Sequence, residues 1–593
     1  MNAKRLLPAL LLAACSDPPT TDPSPTPPPS WGVPISGGTM TVTRDGQFAI
    51  AADPDRDRIV SVELATGAIA ADLALTANDE PGRVIEDGAG RLHVALRRGG
   101  AIVSFTPTGE VLNRRAVCAE PRGMAVDTST DSLIVACSGG DLITLPTAGG
   151  EATRTVRLDR DLRDVVFSGG KLFVTRFRSA ELLQLDLATH AIVTRDVSPL
   201  TSRIDFNTFD PETGSNEVPA IPAIAWRAIP HNDGVVVLHQ RQVDKQLGTQ
   251  ETGGYGGGCG GESGPVEAAL TVREADGRIR PIRPAVFGAL PVDIAVNPAG
   301  DELAIVLAGN QTVRQIRTSV LPGEDHDPCP FDSGEHDAGP RINDHLGAPT
   351  SVAYLPNGSL AIFYPEVPAI AIRHQPGVTA QIITLPGGFG YDSGRGMFHE
   401  QTPVGIACAS CHPEGREDGL VWKFEFGERR TQSIAGGILA RAPYHWVGDM
   451  TDLPKLMNDV FAVRMAAGTT TNSQRLSLGP WLDRIPAPAP VPAVDAAAAE
   501  RGRVLFESAE LQCTQCHNGE QLTNNQRVNV GTGGNFKVPS LKGIGARAPF
   551  MHDGCAATLT DRFTTCGGGD LHGKTAQLDP AQLADLVTYL DTL

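Results

Sequence analysis

The sequence predicts a multidomain protein in which a seven-bladed, all-β propeller precedes a mainly α-helical domain. Three observations predict this. Residues 37–388 repeat a turn–strand–turn–strand pattern seven times, the repeat then stops, and two short Cys/His motifs of one form occupy the last third. Composition agrees: 65 Gly and 46 Pro with only 5% aromatics among 593 residues favour many short strands joined by tight turns. An apolar share of 41% and a charged share of 20% mark a globular chain rather than a disordered or multi-span membrane one. The formal net charge of −18 argues against a nucleic-acid partner, which needs a basic stripe.

The first residues concern export. Lys4 and Arg5 precede an apolar run, residues 6–14, far shorter than the ~20 residues a spanning helix requires. It fits the apolar region of a secretion signal over residues 1–14. Leu12-Ala13-Ala14-Cys15 resembles the lipobox of bacterial lipoproteins, which implies lipidation of Cys15 and a lipid anchor at a membrane surface, on the periplasmic side or cell surface. The Pro/Ser/Thr-rich stretch that follows, within residues 15–35, reads as a tether. Of 11 Cys, Cys15 and the four in the two motifs leave Cys118, Cys137, Cys259, Cys329, Cys555 and Cys566. An even remainder in an exported chain points to disulfides, and sequence order suggests 118–137, 259–329 and 555–566 among 15 possible connectivities.

The blades come next, over residues 36–388. The repeats lie at 44–64, 87–105, 127–145, 168–187, 232–247, 297–316 and 355–372, each with an Asp, Asn or Gly turn before apolar strands. Alternating hydrophobicity between turns marks antiparallel strands, and spacing near 40 residues marks propeller blades; a pair of β-sandwiches is the alternative. The units resemble the YVTN/YncE-type family of seven-bladed propellers in pattern. Two loops interrupt them. Residues 253–264 are too Gly-rich for regular structure, and residues 324–337 gather acids, His326 and His336 around Cys329. The second loop has oxygen ligands suited to Ca2+, or is a solvated acidic loop.

The chemistry lies in two subdomains, 389–487 and 488–593. Cys408-Ala-Ser-Cys411-His412 and Cys513-Thr-Gln-Cys516-His517 have the CxxCH form of c-type haem attachment, two thiols for thioethers and an adjoining His for iron. With 11 Cys and 14 His, chance would give on the order of 0.005 such motifs, and two are present. A zinc site would need further Cys or His ligands at suitable spacing. The flanking sequences repeat as well: Ala440-Arg-Ala-Pro-Tyr-His445-Trp446 follows the first motif and Ala546-Arg-Ala-Pro-Phe-Met551-His552 the second. The shared core sets His445 opposite Met551. Both are candidate sixth ligands, giving His412/His445 and His517/Met551.

This last third resembles the bacterial di-haem cytochrome c peroxidase/MauG superfamily. The resemblance rests on 538–544 (VPSLKGI), Ala548-Pro-Phe-Met-His-Asp-Gly554 and the following Thr558-Leu559, on 498–506 (AAERGRVLF), and on 429–433 (RRTQS) with His445-Trp446-Val-Gly-Asp449. It implies a Met-ligated electron-entry haem at Met551, and a pocket Trp at Trp446 beside the catalytic haem, where His445 would also act. Two departures accompany it. His445 precedes that Trp and could close the site peroxide needs, and Arg464-Met465 stands where the family has a catalytic Glu before a Met. Met551 also differs from the Tyr of the MauG branch.

The expected function is therefore that of an exported di-haem cytochrome that transfers electrons and reduces hydrogen peroxide, with a small redox protein (cytochrome or cupredoxin) as partner. The competing expectation is a propeller-borne oxidase or binding module that uses the haems as an electron outlet. It requires polar groups converging in the propeller channel, with His93, His231 and His239 as candidates.

Overall fold

A computed structural model describes residues 32–204, 217–255, 264–282, 288–320, 336–337, 346–374, 379–566 and 569–593. Cys15, Cys259, Cys329, His326 and nearly all of the acidic loop lie outside these residues.

Seven antiparallel sheets stand in chain order, all but the fifth built of strictly consecutive strands. The first comprises Met40–Val42, Phe48–Asp53, Arg58–Glu63 and Ala68–Ala74, and the last Ser351–Tyr354, Leu360–Tyr364, Ala369–Arg373 and Gln381–Thr384. Burial explains their sequences. In the second sheet Leu92–Leu96 and Ala101–Phe105 are buried at every position, whereas the outer strand Val111–Ala116 is largely exposed. A middle strand is covered on both faces by neighbouring sheets, so it reads as a continuous apolar run; alternation survives only toward the rim.

The ring is visible in its packing. One apolar cluster joins sheet 1 to sheet 2 through Ile50, Ile59, Leu92 and Phe105, and others join each later pair. Closure comes from Val60, Val62, Phe363 and Ile370, which pack sheet 7 onto sheet 1. Backbone and side-chain bonds across that seam, Gly38 N–H to the Thr350 carbonyl and Met40 N–H to Ser351 Oγ, complete it. Cys118–Cys137 and Cys555–Cys566 are disulfide-bonded, as sequence order suggested; the 259–329 pair lies outside the described residues.

The fifth sheet departs from the pattern. It has five strands, including the 15-residue Glu217–His231 and the fully buried Gly234–Val243. Its chain then leaves the propeller: Gln246–Leu247 pairs in parallel with Val421–Phe424 of the C-terminal region. A small sheet thus sews the two regions together.

The C-terminal third is less helical than its sequence suggested. Its longer helices, Ser393–His399, Asn472–Asp483, Ala496–Glu507 and Pro580–Leu590, are joined by long irregular segments. Proline accounts for part of this, because the 485–492 stretch IPAPAPVP cannot sustain a helical hydrogen-bond ladder. Asp495 and Asp579 cap the last two helices, which cross at Gly502. A Cβ there would lie 1.9 Å from the Asp585 carbonyl oxygen, so only glycine permits the approach. Among the described residues no helix is long and apolar enough to cross a membrane.

Candidate haem sites and their surroundings

The two CxxCH motifs fold alike. Cys408–Cys411 forms one helical turn and Cys513–Gln515 one tighter turn. The backbone N–H of His412 reaches the Cys408 carbonyl at 2.9 Å, and that of His517 reaches Cys513 at 3.0 Å. Each imidazole then lies against a carbonyl a few residues onward, His412 Nδ1 at 3.0 Å from Arg416 O and His517 Nδ1 at 3.2 Å from Leu522 O. A carbonyl only accepts, so Nδ1 carries the proton and Nε2 keeps its lone pair for a metal. Burial lowers the pKa of both, His517 to about 4, so the rings are neutral. The four motif thiols are unpaired, and burial pushes Cys408 up to about 12.

The first motif opens on a cavity of about 530 Å³, lined by Cys408, Cys411, His412, His445, Trp446 and apolar side chains including Phe461 and Met465. Arg430 and Arg464 also line it, and their buried Nε atoms have no hydrogen-bond partner. Thiols and an imidazole at one wall, apolar walls elsewhere and guanidinium groups with an unbonded Nε suit an iron porphyrin with carboxylate side arms.

The A-R-A-P segments prove equivalent in backbone as well as sequence. Tyr444 bridges Met450 and Phe550 bridges Ala556, enclosing loops of equal length. His445 (φ 65°) and Met551 (φ 72°) both sit in the left-handed region, as do Gly448 and Gly554. His445 is held by Asp449, with 3.2 Å between Nδ1 and Oδ1 and a third of the side chain exposed. Met551 packs against the apolar core of the second subdomain, as does Cys513. Trp446 and its equivalent His552 meet edge-on at 6.4 Å, where the subdomains join. Trp446 Nε1 donates to the Arg430 carbonyl and Arg430 N–H donates to the His552 carbonyl, both at 2.7 Å.

Two residues at these sites had no sequence motif. Tyr255, from the propeller's Gly-rich insertion, lines the first cavity; its N–H donates to the Arg464 carbonyl at 3.1 Å and its hydroxyl lies 3.3 Å from Arg464 Nη1. The nearby carboxylate is Asp449 rather than one at position 464. His572, beyond the last disulfide, faces His517 with ring centres 6.2 Å apart.

The propeller candidates do not converge. His93 bonds Ser104 and Asp87 inside the second sheet, His239 bonds Thr271 and the Gln240 carbonyl in the fifth, and His231 lies on the rim by Asn232. The channel's polar groups neutralise one another: Asp164 pairs with Arg83 and Arg227, and Asp293 with Arg227 and Ser351. Glu414, two residues after His412, then enters the channel mouth and pairs with Arg163 at 2.6 Å, Arg97 at 3.0 Å and Arg122 at 3.6 Å. A Gln240 amide bond of 2.9 Å to the Ser410 carbonyl ties the first motif to the fifth sheet.

Comparison with known proteins supplies two partial relatives. No known family profile matches the chain. It is 25% identical over 256 residues to hydrazine synthase subunit gamma of Kuenenia stuttgartiensis, across 32% of this chain and 72% of that protein. It is 39% identical over 67 residues to cytochrome-c peroxidase IdrP1 of Denitromonas iodatirespirans, across 10% of this chain and only 18% of the peroxidase. The chain is a propeller followed by a region that carries both CxxCH turns. Among solved structures, a chain of K. stuttgartiensis hydrazine synthase covers 61% of it (99% of that chain, 15% identity, TM-score 0.44). A streptogramin B lyase covers 57% (93% of that chain, 12% identity, TM-score 0.38).

Proposed function

We propose that the protein is an exported di-haem c-type cytochrome that transfers electrons and, in the manner of a cytochrome c peroxidase, delivers them to hydrogen peroxide. The observation that carries this reading is the paired CxxCH turns, each with its imidazole Nδ1 tied to a carbonyl. Cys408, Cys411 and His412 would hold one haem, and Cys513, Cys516 and His517 the other. When bound, the haems supply one-electron chemistry at iron.

The chain's own residues do the rest. His412 and His517 present Nε2 in a fixed direction because the second nitrogen is anchored. Apolar walls exclude water from the first cavity. Asp449 orients His445, a candidate sixth ligand or proton-handling group. Trp446 and His552 fill the seam between the subdomains, so an electron crossing it meets packed aromatic rings rather than solvent. Reduction of hydrogen peroxide to two waters consumes two electrons and two protons, which fits a two-haem store. The buried pairing of the channel and the Glu414 plug favour a propeller that acts as a platform over one that carries its own substrate site.

The lipobox and the Pro/Ser/Thr-rich tether support a lipid anchor on the periplasmic side of a membrane, and a small cytochrome or cupredoxin would be the electron partner. The test is direct: purified protein, oxidised and half-reduced, is assayed for covalent haem and peroxide turnover. Two covalent haems with turnover support the reading; a protein without covalent haem overturns it.

A further inference from the structure

We infer that Tyr255, carried into the first cavity by the propeller, is the proton donor to peroxide oxygen there, with Arg464 as the cation that steadies the resulting phenolate. This rests on the reading that Cys408, Cys411 and His412 hold a haem at which peroxide is reduced. Arg464 stands where the resembling family has its catalytic Glu, and a guanidinium does not give up a proton in a protein. The fold brings a hydroxyl to it instead.

The propeller insertion is stitched to the haem region at three places. Gln246–Leu247 pairs with Lys423 and Phe424. Gly253 N–H donates to the Val463 carbonyl at 2.8 Å, and Tyr255 N–H donates to the Arg464 carbonyl at 3.1 Å. Phe424 lies against the Tyr255 ring, with centres 6.2 Å apart. The phenol is thereby fixed in the wall of the cavity that Cys411, His412, His445 and Asp449 also line.

Hydrogen-bond direction decides what the phenol can do. Arg464 has donors only, so in its 3.3 Å contact Nη1 donates and the Tyr255 oxygen accepts. The phenol's own proton has no acceptor among the described residues, which leaves it available to a molecule in the cavity. Burial raises the Tyr255 pKa, so the phenol is protonated at rest, and Arg464 opposes that rise by favouring the anion. His445, the other proton-bearing group here, is already engaged with Asp449 at 3.2 Å. In the step, the O–O bond of hydrogen peroxide breaks, the small redox protein supplies two electrons, and Tyr255 protonates the oxygen that leaves as water. One proton from solvent completes the other water, and a second restores the phenol.

The test uses full-length holoprotein with haem content checked by intact mass. Tyr255→Phe keeps the ring and removes only the hydroxyl. It is expected to lower peroxide kcat/KM about a hundredfold while both haems and the unfolding midpoint are retained. It is also expected to move the stretching band of carbon monoxide bound at the reduced first haem to higher frequency, as loss of a hydrogen-bond donor requires. The His445→Gly background serves that measurement if His445 closes the site. Arg464→Met leaves the tyrosine in place, guards against a folding failure of the first variant, and is expected to lower turnover by a smaller factor. Turnover that survives Tyr255→Phe, or an unshifted band, overturns the assignment and leaves the haem reading intact. Wild-type protein with two covalent haems and no peroxide turnover overturns the peroxidase reading and the assignment together.

Discussion

Glu414 and Arg163 form a 2.6 Å ion pair that fixes the turn after the first CxxCH motif in the mouth of the propeller channel. Both side chains are almost wholly buried, and Arg97 and Arg122 crowd the same carboxylate. Removing one partner from such a group leaves uncompensated charge inside the protein. Glu414→Gln is expected to destabilise the fold by about 3–5 kcal/mol, measured by urea unfolding. An unchanged unfolding midpoint would show that the fold does not depend on the pairing of Glu414 with the three arginines.

The same cluster sets an acid limit. Burial alone would raise the Glu414 and Glu120 carboxyls, but their arginine neighbours more than offset it, holding Glu414 well below the carboxylate range and Glu120 at about 2. Groups with depressed folded pKa values stabilise above their unfolded value and lose that contribution as protons bind the native state. Stability should therefore fall as pH drops from about 4.5 toward 2. Glu120→Gln should flatten that decline in a pH-resolved unfolding series.

If both CxxCH turns hold haem, attachment should be separable between the subdomains. Cys513→Ala with Cys516→Ala should leave one covalent haem at Cys408 and Cys411, read from the intact mass of denatured protein. Zinc in place of haem iron would be incompatible with the reading of both sites.

On the proposed reading, His445 would govern access to the first iron. If it occupies the sixth position, both haems are low-spin in the oxidised protein and peroxide turnover is weak until half-reduction. His445→Gly should then create a high-spin haem and raise peroxide reactivity. A wild type already high-spin and fast as isolated would remove His445 from the ligands and leave it, with Asp449, as a proton-handling pair.

The buried propeller histidines should matter to stability alone. His93→Phe strands Asp87 and Ser104 without their shared partner, a loss of roughly 1–3 kcal/mol on unfolding. Haem spectra and electron transfer should not change; a selective loss of activity in a stable variant would favour a propeller-borne reaction.

The anchor is tested in cells. Cys15→Ala should release the protein from the membrane fraction or block its processing, while an unacylated, freely soluble wild type would remove the lipid anchor.

The sequence by itself determined whatever depends on local spacing. CxxCH is a one-turn motif, so its thiols and imidazole are adjacent wherever the chain folds. The propeller repeat was legible because all blades but the fifth are made of strictly consecutive strands, and Cys118–Cys137 and Cys555–Cys566 because each pair bridges neighbouring segments. Strand burial was legible only in part, since alternation vanishes where both faces of a blade are covered. The equivalence of His445 and Met551 was legible as a repeated tetrapeptide, and the backbone repeats it.

Only the tertiary structure decided which distant groups share a site. Tyr255 reaches the first cavity because the fifth sheet extends and pairs Gln246–Leu247 with Val421–Phe424. His572 meets His517 across 55 residues that include a helix and a disulfide. Glu414 finds arginines from three different blades, and the channel acids find theirs, through ring closure. None of these has a characteristic spacing, because a charge or ligand pair is selected by distance in space, and chain separation leaves no periodic trace of it.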